Sequence, residues 1–195
     1  VLPALRAARP GPPSGRTAIA ICVRNEDMGA VLPPLGRLMD GLPPDLFALW
    51  VLSDTPAGAG ADAEEAAVRS FAADRPNVHY RRRSVNEGFK AGNVMDFLDH
   101  HAAGLDYFLC LDADSEMTPA AVLRLVACME ADDRLAIVQQ LIHGRPATAA
   151  FPRLFQFGMR QGMRFWATGQ AWWQGDEGPY WGHNAIIRIA PFREL

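Results

Sequence analysis

The sequence predicts an α/β fold with a mostly parallel sheet and helices on both of its faces. Apolar, β-prone segments alternate along the chain with helical segments. The segments at 17–23, 47–52 and 107–111 are continuous hydrophobic runs, as is typical of strands that are buried on both faces. Crossovers between parallel strands are right-handed and place their helices against the sheet. A chain of 195 residues with 49% hydrophobic content suits one such domain.

The elements follow one another in a regular order. We predict strands at Thr17 to Val23, Phe47 to Leu52, Val78 to Arg83, Tyr107 to Leu111, Ala136 to Gln140 and Asn184 to Ile189. We predict helices that end before Gly41, cover Asp62 to Ala73, end near His101, and cover Pro119 to Ala131 and Ala149 to Thr168. Residues 169–182 form a loop rich in Gly and Trp.

The two ends of the chain need separate interpretations. The proline-rich residues 1–15 lack a periodic pattern and are predicted to be an arm or linker, so the domain covers residues 16–195. The chain begins at Val1 and ends at Leu195, directly after a predicted strand, and we expect it to be a piece of a longer protein.

An apolar stripe on the predicted helix at 149–168 is interpreted as a core face, although attachment of the protein to a bilayer would favour membrane contact. The stripe comprises Phe151, Leu154, Phe155, Met159, Phe165 and Trp166.

Composition excludes some classes of function. A formal net charge of −3 provides no basic surface for nucleic acid. The three cysteines are odd in number and lack metal-ligand spacing, so we expect reduced core residues. No apolar run approaches the roughly 18 residues of a membrane helix.

The strand at 107–111 delivers two carboxylates, Asp112 and Asp114, to its carboxyl end, where ligands of open α/β sheets bind. In extended chain, residues i and i+2 point to the same side, so both carboxylates can address one hard divalent cation. A simpler reading is that two acids open a turn before the next helix, because Thr118 and Pro119 already supply an N-cap and a first-turn proline.

Three other strand ends carry polar groups that would meet this pair on one rim. Asn25 and Glu26 follow the first strand and Asp54 follows the second, although Asp54 could simply accept turn amides. Lys90 is the only lysine in the chain. With Gly92 and Asn93 near a helix start, its ammonium suits a diphosphate; the alternative is an ordinary solvated lysine.

Aromatic residues crowd the predicted loop. Trp172, Trp173, Tyr180 and Trp181 lie there with Asp176, Glu177 and His183. Aromatic faces stack on sugar rings, but they also fill cores, and His183 is a polar residue that we do not interpret as a base.

The chain from Thr17 to Phe192 resembles the nucleotide-sugar domain of family 2 glycosyltransferases. Its details are most similar to the glucan biosynthesis glucosyltransferase H group, membrane enzymes that build osmoregulated periplasmic glucans. The segments that carry the resemblance are RTAIAICVRNED, LSDT, YRRRSVNEGFKAGN, LDADSEMT and, most diagnostic, QGDEGPYWGHNAIIR. One departure is Cys22-Val23-Arg24, where the family has a proline and an aromatic residue before Asn-Glu.

The resemblance implies a GT-A, Rossmann-like fold and a hexosyltransferase that uses UDP-glucose with Mg²⁺ or Mn²⁺. By position, it implies that Asp54 contacts uridine, that Lys90 and Asn93 belong to the donor-diphosphate motif, and that Asp112 and Asp114 are the metal-binding DxD pair. The predicted donor-binding residues are Asn25, Glu26, Asp54, Lys90, Gly92, Asn93, Asp112 and Asp114. The predicted acceptor side comprises Glu177, Tyr180, Trp181, His183 and Asn184.

The resemblance also implies a cellular location for the protein and a place for its general base. Because UDP-sugars are cytosolic and the family flanks this domain with membrane helices, we expect a protein of the inner membrane with this domain on the cytoplasmic face. The family's general base and an Arg-Trp motif lie downstream of the GHNAIIR strand. We therefore expect this chain to bind donor without sustaining transfer, with Asp176 and Glu177 the only nearby substitutes for the base.

Three other functions compete with this interpretation. A phosphohydrolase also uses two aspartates after a strand, but it has Thr or Val two residues past the second aspartate, where this chain has Glu116. A sugar nucleotidyltransferase would need a Gly-rich basic loop after the first strand, which residues 24–29 do not supply. A non-catalytic nucleotide-sugar-binding module would keep the same donor-side motifs, and turnover by the intact protein separates it from an enzyme.

Overall fold

The computed structural model describes residues 11–144, 146–175 and 177–194. Within them the strands are β1 (Thr17–Val23), β2 (Phe47–Ser53), β3 (Val78–Arg82), β4 (Tyr107–Asp112), β5 (Ile137–Gln139) and β6 (Ala185–Arg188). The helices are α1 (Met28–Met39), α2 (Ala59–Phe71), α3 (Phe89–His101), α4 (Pro119–Ala131), α5 (Ala150–Gln174) and the short α6 (Ile189–Phe192). The predicted order of strands and helices is confirmed.

The strands form one six-stranded sheet in the order β3-β2-β1-β4-β6-β5. Strands β3, β2, β1 and β4 are parallel, whereas β6 runs antiparallel to both β4 and β5. The register sets Cys22 opposite Leu52 on one side and Asp112 on the other, so β1, β2 and β4 end at the same edge.

Alternate residues of the central strands face two separate apolar cores. Ile19, Ile21, Leu109 and Leu111 pack on one face against α1, α2 and α4. On the other face Ala18, Ala20, Phe108 and Cys110 pack against α3 and α6. The predicted α/β fold with helices on both faces is therefore confirmed, and the double burial explains why β1 and β4 read as unbroken apolar runs.

Two predictions about the last long helix are wrong. Helix α5 does not end at Thr168 but continues through Gly169 to Gln174, so Trp172 and Trp173 lie on the helix rather than in a loop. The apolar stripe is not a core face, because no described residue of α5 is buried; Phe151 is 77% exposed and Phe165 79%. None of the helices formed by the described residues is long and apolar enough to cross a membrane.

The predicted arm at 1–15 falls partly outside the described residues, which begin at Gly11. Its last residues are attached to the domain, since Glu130 accepts hydrogen bonds from the Ser14 hydroxyl and from the backbone N–H groups of Ser14 and Gly15. Partial burial would raise the pKa of Glu130, but these donors outweigh it and lower the pKa. Gly15 has no room for a side chain, because a Cβ would lie 2.3 Å from the Tyr107 ring.

Candidate active site

The edge where β1, β2 and β4 end brings most of the predicted polar residues together. Asp54 follows β2, Asp112 closes β4, and Lys90 lies in the first turn of α3. Lys90, Asp54 and Glu26 line one cavity of about 200 Å³, whose other described walls are Cys22, Val23, Arg24, Asn86 and Phe89. At about 30 Å³ per water, that volume holds about seven waters, enough for a planar ring such as a nucleobase.

Asp54 is held by an arginine on the adjacent strand end. Arg83 donates to both carboxylate oxygens of Asp54, with Nη2 at 2.9 Å from Oδ2, and the two side chains are only 11% and 7% exposed. Arg83 also donates to the backbone carbonyls of Glu87 at 2.8 Å and Phe89 at 2.7 Å. A planar guanidinium can satisfy a carboxylate bidentately and still reach these carbonyls. Arg83 thereby fixes Asp54 relative to the loop that leads to Lys90.

Lys90 connects three parts of the site. Its ammonium forms an ion pair with Asp112 Oδ1 and donates to the backbone carbonyl of Gly182 at 2.9 Å. Burial lowers the pKa of Lys90, but the hydrogen bond to Asp112 and the nearby negative charges together outweigh it, and the pKa is raised. His183 Nδ1 lies 3.7 Å from the other carboxylate oxygen of Asp112. The lone lysine is therefore a half-buried, charged residue at the end of β4 rather than a solvated surface residue.

The donor set at the end of β4 fits a hard divalent cation that is shared with a ligand. Asp112 and Asp114 supply carboxylate oxygens, which Mg²⁺ and Mn²⁺ prefer. Asp114 is exposed on the turn after β4. Among the described residues, no group of three or more His, Cys, Asp and Glu side chains converges on one point. A cation here would take its other ligands from water or from a bound diphosphate.

Gly92 and Asn93 both pack closely against other parts of the protein. A Cβ at Gly92 would lie 2.0 Å from the Glu87 carbonyl oxygen, so the backbone that approaches this glycine is the chain's own. The Asn93 side chain is fully buried, donates to the Leu52 carbonyl at 3.1 Å and accepts from Arg81 at 2.7 Å. Asn93 therefore holds α3 against β2, and Gly92 lets the loop before α3 pack closely on the helix that carries Lys90.

The turn after β1 is supported by a buried network that sequence reasoning missed. Asn25 has a positive φ of 58°, and its backbone N–H donates to the Thr55 hydroxyl at 2.9 Å. That hydroxyl donates to Glu64 on α2 at 2.6 Å, and Glu64 also accepts from Tyr80 at 3.0 Å. Glu64 is only 4% exposed. A signal was present, because Ala61, Glu64 and Val68 are spaced to share one helix face, and a carboxylate on that face needs partners.

The predicted acceptor residues lie on the segment between α5 and β6. Tyr180 lines an apolar cavity of about 330 Å³ with Lys90, Val94 and Phe108, and burial raises the pKa of its phenol. The Trp181 ring stacks on Trp166 of α5 with centroids 5.9 Å apart.

The other acceptor predictions have different environments. Asn184 is buried, and its backbone N–H donates to the Cys110 carbonyl at 2.8 Å. Glu177 is exposed, with its backbone N–H donating to the Gln174 carbonyl at 3.1 Å. Asp176 lies outside the described residues.

Comparison with a family model decides the classification of this site. Residues 19–195 match the model of glycosyl transferase family 2. The chain belongs to this family. This match confirms the family resemblance that the sequence motifs carried.

Within family 2, the chain is similar to proteins named glucans biosynthesis glucosyltransferase H. The protein of Caulobacter vibrioides is 40% identical over 188 residues, which cover 92% of this chain and 28% of that protein. The protein of Cereibacter sphaeroides is 37% identical over 190 residues, which cover 94% of this chain and 32% of that protein. This chain therefore spans about a third or less of the length of these curated relatives.

Solved structures confirm the GT-A fold that was expected for a family 2 member. A mannosyltransferase from Pyrobaculum calidifontis in complex with GDP-Man and Mn²⁺ matches with a TM-score of 0.56 and 20% identity over 69% of this chain and 38% of its own. S. aureus TarS 1-349 in complex with UDP-GlcNAc matches with a TM-score of 0.56 and 12% identity over 92% of this chain and 47% of its own. At such identities the match concerns the fold alone.

Proposed function

We propose that this domain binds UDP-glucose through a divalent cation, for inverting transfer of glucose to a growing periplasmic glucan. The observation that carries the proposal is the Lys90–Asp112 ion pair at the edge where β1, β2 and β4 end, next to the cavity that Asp54 lines. The names of the glucosyltransferase H relatives and the nucleotide sugars bound to the structural neighbours support this choice of donor and product.

The residues of the edge suit the two halves of a nucleoside diphosphate sugar. Asp54 is presented to its cavity with its orientation fixed by Arg83, as a carboxylate that recognises a base N–H must be. Lys90 places an ammonium beside Asp112, where the diphosphate of the donor would lie. During transfer the departing diphosphate gains negative charge, and an ammonium that is already in place stabilises it without reorganisation.

Asp112 and Asp114 would hold the cation, either Mg²⁺ or Mn²⁺. When bound, the cation supplies the Lewis acidity that neutralises the diphosphate leaving group. The chain's own part is to orient two carboxylates after β4 and to hold Lys90 against one of them. The remaining predicted donor residues, Asn25 and Glu26, would contact the donor from the turn after β1.

Calorimetric titration of the chain with UDP tests the metal assignment. We expect binding in the presence of Mg²⁺ or Mn²⁺, loss of most of the affinity with excess EDTA, and a loss of about tenfold or more for Asp114→Ala. Asp133→Asn, which removes an exposed carboxylate after α4, is the matched control and should leave UDP affinity unchanged. UDP binding that resists both EDTA and Asp114→Ala would refute a cation held by these residues.

We also propose that the parent protein lies in the inner membrane with this domain on the cytoplasmic face. The support is that the family resemblance implies flanking membrane helices, and that α5 exposes an aromatic surface beside three arginines, Arg153, Arg160 and Arg164. Reading the parent gene on both sides of this segment tests the proposal. Flanking frames without apolar stretches of about 20 residues would contradict it.

A further inference from the structure

Helix α5 carries most of the exposed apolar surface of the described residues. Of the 14 large apolar side chains that are exposed among them, nine belong to this helix. Trp172 and Trp173, which are 80% and 83% exposed, extend the apolar stripe to the end of α5. Folded domains rarely leave an apolar surface of this length uncovered, so we expect the stripe to meet a partner.

The helix is divided lengthwise into three faces. At about 100° per residue, the apolar stripe and the two tryptophans occupy an arc of about 140°. Arg153, Arg160 and Arg164 share an arc of about 40° on another side. The half-buried residues of α5 lie between these two faces and are all uncharged: Gln156, Met163, Ala167, Gln170 and Gln174. The domain therefore contacts α5 by a neutral face and leaves the stripe and the arginines exposed.

The charge of α5 differs from that of the rest of the chain. The helix contains three of the 19 basic residues and none of the 22 acidic residues, although the whole chain has a formal net charge of −3. All three arginines are exposed. A second copy of the chain that docked on α5 would offer no acidic residue on the same helix to pair with them. The surface is instead complementary to an anionic partner.

An open groove of about 620 Å³ lies between the first half of α5 and residues 146–147. Arg153 and Arg160 line it beside Leu154 and Phe157, and its described walls include no acidic residue. The two arginines are two helical turns, or about 10 Å, apart. Guanidinium groups bind phosphate oxygens through paired hydrogen bonds, and the apolar neighbours suit a hydrocarbon chain attached to that phosphate. The groove therefore matches a phosphate-bearing amphiphile.

We propose that α5 lies in the surface of a bilayer that contains anionic phospholipid. The apolar stripe would face the acyl chains, and Arg153 and Arg160 would bind headgroup phosphates. Helices with arginines on the polar face and Trp, Phe and Leu on the other are typical of the membrane interface. With 25 residues, α5 would extend about 37 Å along the bilayer. The choice of a lipid as the source of the phosphate rests on the proposed inner-membrane location, whereas the surface itself rests on α5 alone.

Binding of this chain to large unilamellar vesicles tests the proposal. With vesicles of phosphatidylcholine that contain about one third phosphatidylglycerol, we expect co-sedimentation and a blue shift of the tryptophan fluorescence. Binding to pure phosphatidylcholine should be at least about tenfold weaker, because each arginine near an anionic surface adds attraction. Soluble glycerol phosphate at the same phosphate concentration should not displace the chain, since it lacks acyl chains for the stripe to contact.

Two double variants separate the apolar part of the contact from the electrostatic part. Phe155→Ser with Trp173→Ser removes two exposed rings of α5, and we expect it to weaken binding to the anionic vesicles about tenfold or more. Arg153→Gln with Arg160→Gln should weaken the same binding about tenfold or more while leaving the weak binding to pure phosphatidylcholine unchanged.

A third double variant is the control for the charge. Arg37→Gln with Arg69→Gln removes two exposed arginines from α1 and α2, and it should change binding to the anionic vesicles by less than about twofold. Because every substituted side chain is exposed, the Tm and the circular dichroism spectrum should stay the same in all three double variants.

The outcomes separate this inference from the proposed function. Vesicle binding that depends on α5, in a chain that fails to bind UDP with metal, would retain the lipid contact and reject the donor assignment. Metal-dependent UDP binding without vesicle binding would overturn the lipid contact alone. Displacement by glycerol phosphate, or an equal loss in the control variant, would also overturn it. So would a dimer, seen by analytical ultracentrifugation in place of vesicle binding, that Trp173→Ser dissociates.

Discussion

Arg83 is the residue on which the proposed donor-binding edge depends most. It satisfies both oxygens of Asp54 and two backbone carbonyls of the loop before α3, while Asn86 accepts from the same guanidinium at 3.0 Å. A single side chain thus connects the residue expected to meet the uridine with the loop that leads to Lys90. Removing it would leave the buried Asp54 carboxylate without its charged partner, which is more costly than losing the contact itself.

Arg83→Lys tests this dependence while keeping the charge. An ammonium cannot form the bidentate pair and reach the two carbonyls together, so we expect a loss of about 2 kcal/mol in unfolding free energy and about tenfold in UDP affinity. Urea unfolding and calorimetry measure the two effects. Arg82→Lys, on the preceding residue with its side chain half-buried, is the control. If the two variants behaved alike, the role assigned to Arg83 would be rejected.

For individual residues, the sequence predicted the place of a side chain in the fold better than it predicted which other side chain binds it. The apolar run of β4 predicted that Asp112 would stand at its carboxyl end, because a strand buried on both faces must stop where its charges begin. The run could not predict that Lys90 binds Asp112, since the two residues are brought together only when α3 packs beside β4. Pairing of this kind depends on tertiary distances that one sequence does not contain.

Among the elements around the site, the turn between β1 and α1 depends most on hydrogen bonds from residues that are distant in sequence. Its Asn25 adopts a positive φ, which is uncommon for a residue with a side chain, and the Thr55 and Glu64 network holds it in place. The support comes from α2, which does not itself border the donor cavity. We therefore expect Glu64 to act as a positioning residue for the turn that carries Asn25 and Glu26.

Glu64→Gln tests this role. The amide keeps one acceptor oxygen but is neutral and carries two N–H donors, so the network cannot be reproduced fully, and we expect UDP affinity to fall about threefold to tenfold. Glu65→Gln, its half-exposed neighbour that pairs with Arg69, is the matched control and should change UDP affinity little. A Glu64→Gln variant that lost stability but bound UDP normally would show that the network is structural only.

Helix α5 shows why element ends are harder to predict than element types. The sequence predicts that the helix ends at Thr168 and that a loop rich in Gly and Trp begins at Gly169. The helix instead runs on to Gln174 and ends at Gly175, whose φ is 61°. A glycine inside a helix costs only about 1 kcal/mol relative to alanine, and the following Gln170 and Ala171 favour helix. The exposed aromatic face of α5 could not be foreseen either, because the same stripe would suit a core.

Across the whole molecule, donor binding and sugar transfer make different demands. Donor binding, as proposed above, needs only the edge formed by β1, β2, α3 and β4, and the described residues include this edge. Inverting transfer also needs a carboxylate within hydrogen-bond reach of the acceptor hydroxyl to take its proton. Glu177, the described candidate, is exposed on the segment before β6. Among the described residues, none is seen to fix its carboxylate in the way that Arg83 fixes Asp54.

We therefore predict that this chain binds UDP-glucose but releases UDP at a rate about 100-fold or more below that of a longer version that includes the downstream acidic and Arg-Trp motifs of the family. A UDP-release assay with a glucan acceptor compares the two versions. Metal-dependent UDP binding by both versions is the control that each is folded. Comparable rates would place the base within this chain, and Glu177→Gln would then be the variant to abolish them. UDP binding without release in either version would favour a non-catalytic binding module.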